Sequence, residues 1–354
     1  MTKRIVLLFL LIVVCKGVSS QSITNWGVSY ISGKIIAHSK DVENTKGAAP
    51  FGLQAEYSWR KTDSSRFKNF YGLPRQGLSL CYTNYDNAVL GSGVAASYFF
   101  EPQIRFNKKS GVNFRTSAGV GYLSRPNSAG NNSYSTALSF YLGVGIQPYL
   151  QLSRHWSLGM GSSYRHISNG GIKLPNKGIN WLTGEINLMY YPQPQVDIEP
   201  LLNRYRKQAY TKTNRWDVYV FGAIRSIDNA DKKTYPLIGA GLMRSWQTGK
   251  THAITTTLNL YHDGSVPQQL RNDGLPSKSA WRASAEAGHE FLWARIIFRQ
   301  QIGVYLFDKT PYNPAWYHRW AILYRMNKRL MAGVSIKAHK QVANFTDLRL
   351  TFSF

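Results

Sequence analysis

Residues 166–179 hold the side chains of this chain best suited to chemistry: His166, Ser168, Asn169, Gly170, Gly171, Lys173, Asn176 and Gly178. The stretch joins two segments that alternate apolar and polar residues. Residues two apart on a strand project from one face, so His166 and Ser168 form a candidate base and nucleophile. An imidazole beside a hydroxyl takes its proton as the oxygen attacks a carbonyl, the opening step of ester hydrolysis by a covalent route. The backbone N–H groups of Gly170 and Gly171, with the side-chain amide of Asn169 or Asn176, are candidate donors to the oxyanion.

Their neighbours on the strands follow from parity. In segment 155–168, Trp156, Leu158, Met160 and Tyr164 share a face with His166 and Ser168, and Ser163 and Arg165 lie opposite. The greasier set points outward. In segment 178–191, Asn180, Leu182 and Ile186 form the outward set and Glu185 the inward one. If Ser168 stands across the hairpin from Gly178, a constant register places His166 opposite Asn180. A carboxamide then meets the imidazole and can hold its other nitrogen, as asparagine does in cysteine–histidine–asparagine proteases. The plainer reading is polarity at a strand end, which a barrel rim tolerates at little cost. His339 looks inward-facing and structural, with Asp347 as a neighbour. His289-Glu290 lacks the second histidine of a zinc motif, so neither a metal nor another cofactor is implied.

Two such segments need a scaffold. Period-two patterning, divided by turn residues, recurs over 25–38, 51–61, 76–85, 91–106, 112–124, 136–152, 155–168 and 178–191. It resumes over 216–226, 237–246, 251–262, 280–290, 294–307, 316–326, 330–339 and 344–354. No segment after the first twenty residues reaches the ~18 apolar residues of a membrane helix. In the last segment Leu348, Leu350, Phe352 and Phe354 share one face and Asp347, Arg349, Thr351 and Ser353 the other. An apolar face towards lipid and a polar face towards a wet lumen describe an outer-membrane barrel. Short turns at 107–110, 154, 247–250 and 327–329 are expected on the periplasmic side, with the longer stretches 125–134 and 263–279 outside. The connection 63–75 is long for a periplasmic turn.

The expected fold is all-β: a transmembrane antiparallel β-barrel of about 16 strands, with two tandem 8-stranded barrels as the alternative. Residues 192–213, beginning Pro192-Gln193-Pro194-Gln195, break the pattern. The chain therefore divides into a first half, 21–192, a connecting segment, 193–213, and a second half, 214–354. The shortness of the connection favours the single barrel. The halves also echo each other, Gly161 to His166 against Gly333 to His339, as in a duplication whose second copy lost its loop.

Residues 1–20 read as a secretory signal peptide: basic Lys3 and Arg4, an apolar run from Ile5 to Val14, and small residues Val18-Ser19-Ser20 before Gln21. Cys15 follows bulky Val14, which argues against a lipoprotein anchor. Without the leader Cys81 is the sole cysteine, so no intramolecular disulfide can form. The 354 residues hold 43 Lys and Arg against 18 Asp and Glu, a formal net charge of +25. Such a balance would suit nucleic acid in a cytoplasmic protein. Here the basic residues are scattered among the strands of an exported chain, so nucleic acid is not expected as a partner and an anionic lipopolysaccharide surface is. A mean hydropathy of −0.30 agrees, because only alternate barrel residues meet lipid. The rival to an enzyme is a non-catalytic outer-membrane barrel, either a porin-like channel or a structural surface protein. Oligomeric state leaves no mark in the sequence.

The 166–179 loop resembles that of the lipid A 3-O-deacylase (acyloxyacyl hydrolase) family of outer-membrane esterases. The resemblance rests on His166, Ser168, Asn169, Gly171, Lys173, Pro175, Asn176, Gly178 and Ile179. It implies a small eight-stranded barrel over the first half and removal of the ester-linked acyl chain at the 3 position of lipid A in the bacterial outer membrane. It also implies that Ser168 is the nucleophile and His166 the base. The family's third residue is a glutamate where this chain carries Asn180. An amide can set the imidazole tautomer but cannot offset the charge of an imidazolium. The second half lies beyond the family's usual length.

Overall fold

The computed structural model describes residues 22–61, 73–126, 128–194, 211–227, 233–293, 295–340 and 342–354. The leader, most of the 63–75 connection and residues 195–210 of the connecting segment lie outside them. Each period-two segment forms a strand. The first half holds β1 (Ser22–Ile35), β2 (Phe51–Lys61), β3 (Arg75–Asn84), β4 (Ser92–Glu101), β5 (Gln103–Arg105), β6 (Ser110–Leu123), β7 (Leu138–Gln151), β8 (Trp156–Ser168) and β9 (Ile179–Tyr190). Segment 91–106 splits into β4 and β5 at Pro102, which has no N–H for the ladder. Both pieces pair with β6. The second half holds β10 (Asn214–Arg225), β11 (Tyr235–Gln247), β12 (His252–Asp263), β13 (Trp281–Trp293), β14 (Ile296–Phe307), β15 (Trp316–Arg325), β16 (Leu330–His339) and β17 (Val342–Ser353).

The favoured single sixteen-strand barrel is not what forms. β9 pairs with β1, and β17 pairs with β10, so each half closes on itself as an eight-stranded antiparallel barrel. The two barrels touch along their sides. Thr346 Oγ1 donates to the Gly170 carbonyl at 3.1 Å, and Phe100 stacks on Trp293 with ring centroids 4.7 Å apart.

The lumens show why closure favours eight. An eight-stranded barrel leaves an interior that side chains just fill, and buried charges need partners close at hand. In the first barrel Glu56 and Glu101 each bind both Arg75 and Arg115, at 2.5 to 2.7 Å. In the second, Arg319 bridges Glu286 and Asp347 at 2.9 and 2.6 Å, and Glu290 binds Arg215 and Arg299. A sixteen-stranded circumference would set these groups apart across water. The expected wet lumen is therefore polar but packed. His339 faces inward as expected, but its Nε2 lies 3.0 Å from Tyr305 Oη, while Asp347 is taken by Arg319, Arg349 and Ser335.

The outer surface keeps the alternation. Leu348 is 69% exposed and its neighbours Asp347 and Arg349 are buried. Tight turns close one end of each barrel. Asn107 and Asn327 each accept from the backbone N–H groups two and three residues on, the asparagine turn that expels a strand into its return. The longer connections gather at the other end, among them the one carrying the short helix α1 (Val266–Asn272).

Candidate functional site

The β8–β9 hairpin pairs His166 with Asn180 and Ile167 with Ile179, as constant register requires. His166 Nε2 lies 2.9 Å from Ser168 Oγ, and its Nδ1 lies 2.5 Å from Asn180 Oδ1. The amide oxygen can only accept, so Nδ1 carries the proton and donates to it. Nε2 is then left with a lone pair for the serine hydroxyl. Glu185 takes no part, as its parity dictates: it faces the lumen, bonded to Ser163 and 3.1 Å from Arg165.

One member of the site was not foreseen. The amide nitrogen of Asn180 lies 2.9 Å from Nδ1 of His38 and donates to it. His38 follows β1, whose ladder with β9 continues where the Ile36 N–H donates to the Asn180 carbonyl at 2.8 Å. The contact matters because a free amide could turn its nitrogen towards His166 and force the wrong tautomer. With the donor end held by His38, the oxygen faces the imidazole. Only the pairing of β1 with β9, which closes the barrel, brings His38 there.

The loop after β8 is shaped by glycines at positive φ, among them Gly170 (68°), Gly171 (83°) and Gly178 (79°). At Gly178 a Cβ would come within 2.7 Å of His166 Cε1, so only glycine leaves room for the imidazole. The candidate oxyanion donors fare differently. Asn169 accepts from the Gly171 N–H at 3.1 Å and donates its amide to the Lys173 carbonyl at 2.7 Å, so both are engaged inside the loop. Asn176 accepts from the Asn169 N–H at 2.8 Å and lines the cavity in front of Ser168. Gly170 receives Thr346 of the second barrel on its carbonyl.

Two further outer loops hold this one in place. The Gly178 and Lys177 N–H groups donate to the Ser133 and Asn132 carbonyls at 2.7 and 3.0 Å. Lys177 Nζ reaches Asp41 at 2.8 Å, and its hydrogen bond and charge hold that carboxyl below the usual range. Ser168 and Asn180 are consequently only 4% and 8% exposed although they project outward from the wall. A cavity of 410 Å³ lies in front of them, with His166, Ser168 and Asn180 in its lining and residues of the second barrel opposite.

Two sequence families match the chain. One described as lipid A 3-O-deacylase (PagL) spans residues 53–188, and one described as acyloxyacyl hydrolase, C-terminal domain, spans 214–354. No curated protein matches it. Among solved structures, the outer membrane enzyme PagL is 18% identical, over 46% of this chain and 97% of its own, with a TM-score of 0.34. The TodX monoaromatic hydrocarbon channel deltaS2 mutant is 8% identical over 94% of this chain and 89% of its own, with a TM-score of 0.18. A mutant of the Rh. blastica porin is 11% identical over 94% and 100%, with a TM-score of 0.18.

Proposed function

The chain belongs to the outer-membrane lipid A 3-O-deacylase (acyloxyacyl hydrolase) family, and from that premise we propose that it hydrolyses an acyl ester of lipid A with Ser168 as nucleophile, His166 as base and Asn180 as the group that orients the base. The observation that carries this reading is the relay from Ser168 through His166 to Asn180, with contacts of 2.9 and 2.5 Å, facing an apolar-walled cavity on the outer side of the wall. A membrane lipid reaches that side; a solute in the lumen does not.

The chemistry follows the geometry. His166 Nε2 removes the Ser168 proton as Oγ attacks the ester carbonyl, and the carbonyl oxygen becomes an oxyanion. Asn176 Nδ2 and the Gly170 N–H are its donors in this scheme, while Asn169 and Gly171 build the loop that presents them. Collapse breaks the bond to the sugar oxygen, which leaves with the proton from His166, and the fatty acyl group stays on Ser168. Water, deprotonated by the same imidazole, then attacks the acyl-enzyme and releases the fatty acid with Ser168 restored. The site selects the 3-linked chain in this reading, the bond after which the family is named.

A serine-directed fluorophosphonate probe tests the nucleophile. Peptide mapping should place the adduct on Ser168, with labelling lost in Ser168→Ala and cut about a hundredfold or more in His166→Ala, within the ~10²–10⁴-fold typical of a positioned base. Labelling that survives in Ser168→Ala would remove the assignment. The rival channel reading draws no support from the lumens, which are crossed by paired charges in both barrels.

A further inference from the structure

The second barrel faces the site with its own equivalent strands. Counting β4 and β5 as one, β7, β8 and β9 are strands six to eight of the first barrel, and β15, β16 and β17 are strands six to eight of the second. The cavity before Ser168 lies between these two sets. The stacked pair Phe100 and Trp293 joins strand four of one barrel to strand four of the other. The barrels thus meet through equivalent strands.

Register shows what stands in the second barrel at the positions of the relay. Gly161, Ser163 and Arg165 correspond to Gly333, Ser335 and Lys337, so His166 corresponds to Ala338 and not to His339. Across the hairpin Ala338 pairs with Ala343, where His166 pairs with Asn180. Two residues on stands Lys340 in place of Ser168. Ala338, Lys340 and Ala343 all line the cavity. At the equivalent positions the second barrel carries two small apolar side chains and a cation, and His339 pairs with Val342 where the first barrel has a ten-residue loop. The two alanines, standing where the first barrel has an imidazole and a carboxamide, leave space opposite the nucleophile.

We propose that the second barrel is the far wall of the substrate groove, so that a fatty acyl chain of the lipid lies between Leu142, Val144 and Tyr164 on one side and Trp320, Ile336 and Ala338 on the other. This rests on the reading of Ser168 as a lipid esterase. The volume of 410 Å³ falls within the ~300–1,000 Å³ of ligand sites. A chain arriving from the bilayer is already in hydrocarbon, so burial alone gains little. What the second wall adds is shape: a groove of fixed depth that selects chain length. Exposed Lys340 sits at the outer end, beside which an anionic headgroup would lie.

The test varies the far wall only. Ala338→Trp fills the groove and Trp320→Ala widens it, and heat-modifiable migration reports that each barrel folds. With p-nitrophenyl esters, the ratio of kcat/KM for a dodecanoyl to that for a butyryl chain should fall at least tenfold in Ala338→Trp and rise in Trp320→Ala, since one methylene in an apolar pocket is worth ~10–200-fold. A ratio unchanged by both substitutions overturns the proposal. A second readout needs no turnover: Ser168→Ala protein should retain lipid A in native mass spectrometry, and adding Ala338→Trp should cut the retained fraction at least tenfold. If Ser168→Ala left ester hydrolysis intact, the nucleophile assignment would fall and this retention alone would decide for or against the groove. Equal retention with and without Ala338→Trp would sink the groove even with Ser168 confirmed.

Discussion

Asn180 is where this site departs from the glutamate expected of its family, and the structure shows how an amide can stand there. Its oxygen accepts from His166 and its nitrogen is held by His38, so the imidazole keeps the tautomer that serves Ser168. In the proposed mechanism the amide lacks the charge to balance the imidazolium that would form as the serine attacks. Asn180→Asp, nearly the same shape, should therefore raise kcat for ester hydrolysis about tenfold, which is ~1.4 kcal/mol of transition-state stabilisation. Asn180→Ala should lower it by about 10²-fold. Steady-state kinetics on one ester checks both, and an equal loss in the two variants would contradict the orienting role. That Ser168, His166 and Asn180 come together was legible in the sequence because one hairpin and its register place all three. His38 was not, because it stands 142 residues from Asn180 and meets it only through barrel closure.

At the scale of elements, the strands were the easy part. Alternation marked every one of them, and the segments 51–61 and 330–339 match β2 and β16 residue for residue. The loop was harder. Asn169 has the chemistry of an oxyanion donor, but an amide beside two glycines at positive φ also satisfies the loop's own backbone, and that demand wins. Gly178 is the loop position that bears most directly on the imidazole. In Gly178→Ala the new methyl meets His166 Cε1 at 2.7 Å in a backbone conformation that alanine disfavours. Displacing a reacting group by about 1 Å can cost ~10²-fold, so kcat should fall by about that factor. Heat-modifiable migration should stay that of a folded barrel. Full activity in Gly178→Ala would show that the imidazole does not occupy the place described.

At the scale of the molecule, alternation cannot say where a barrel closes. Every strand of one large barrel or of two small ones reads lipid side out and polar side in. The deciding information was inward and non-local: Glu56, Glu101, Arg75 and Arg115 complete one another's charges within the first half, and Glu286, Arg319, Asp347 and Arg349 within the second. Two filled barrels side by side place Ser168, His166 and Asn180 at the seam between them. The most direct test is to express the chain and its Ser168→Ala variant in a lipopolysaccharide-producing host and weigh the extracted lipid A by mass spectrometry. The intact protein should yield species lighter by one ester-linked acyl chain, and Ser168→Ala should leave lipid A at full mass. Identical lipid A profiles from the two strains would contradict the account.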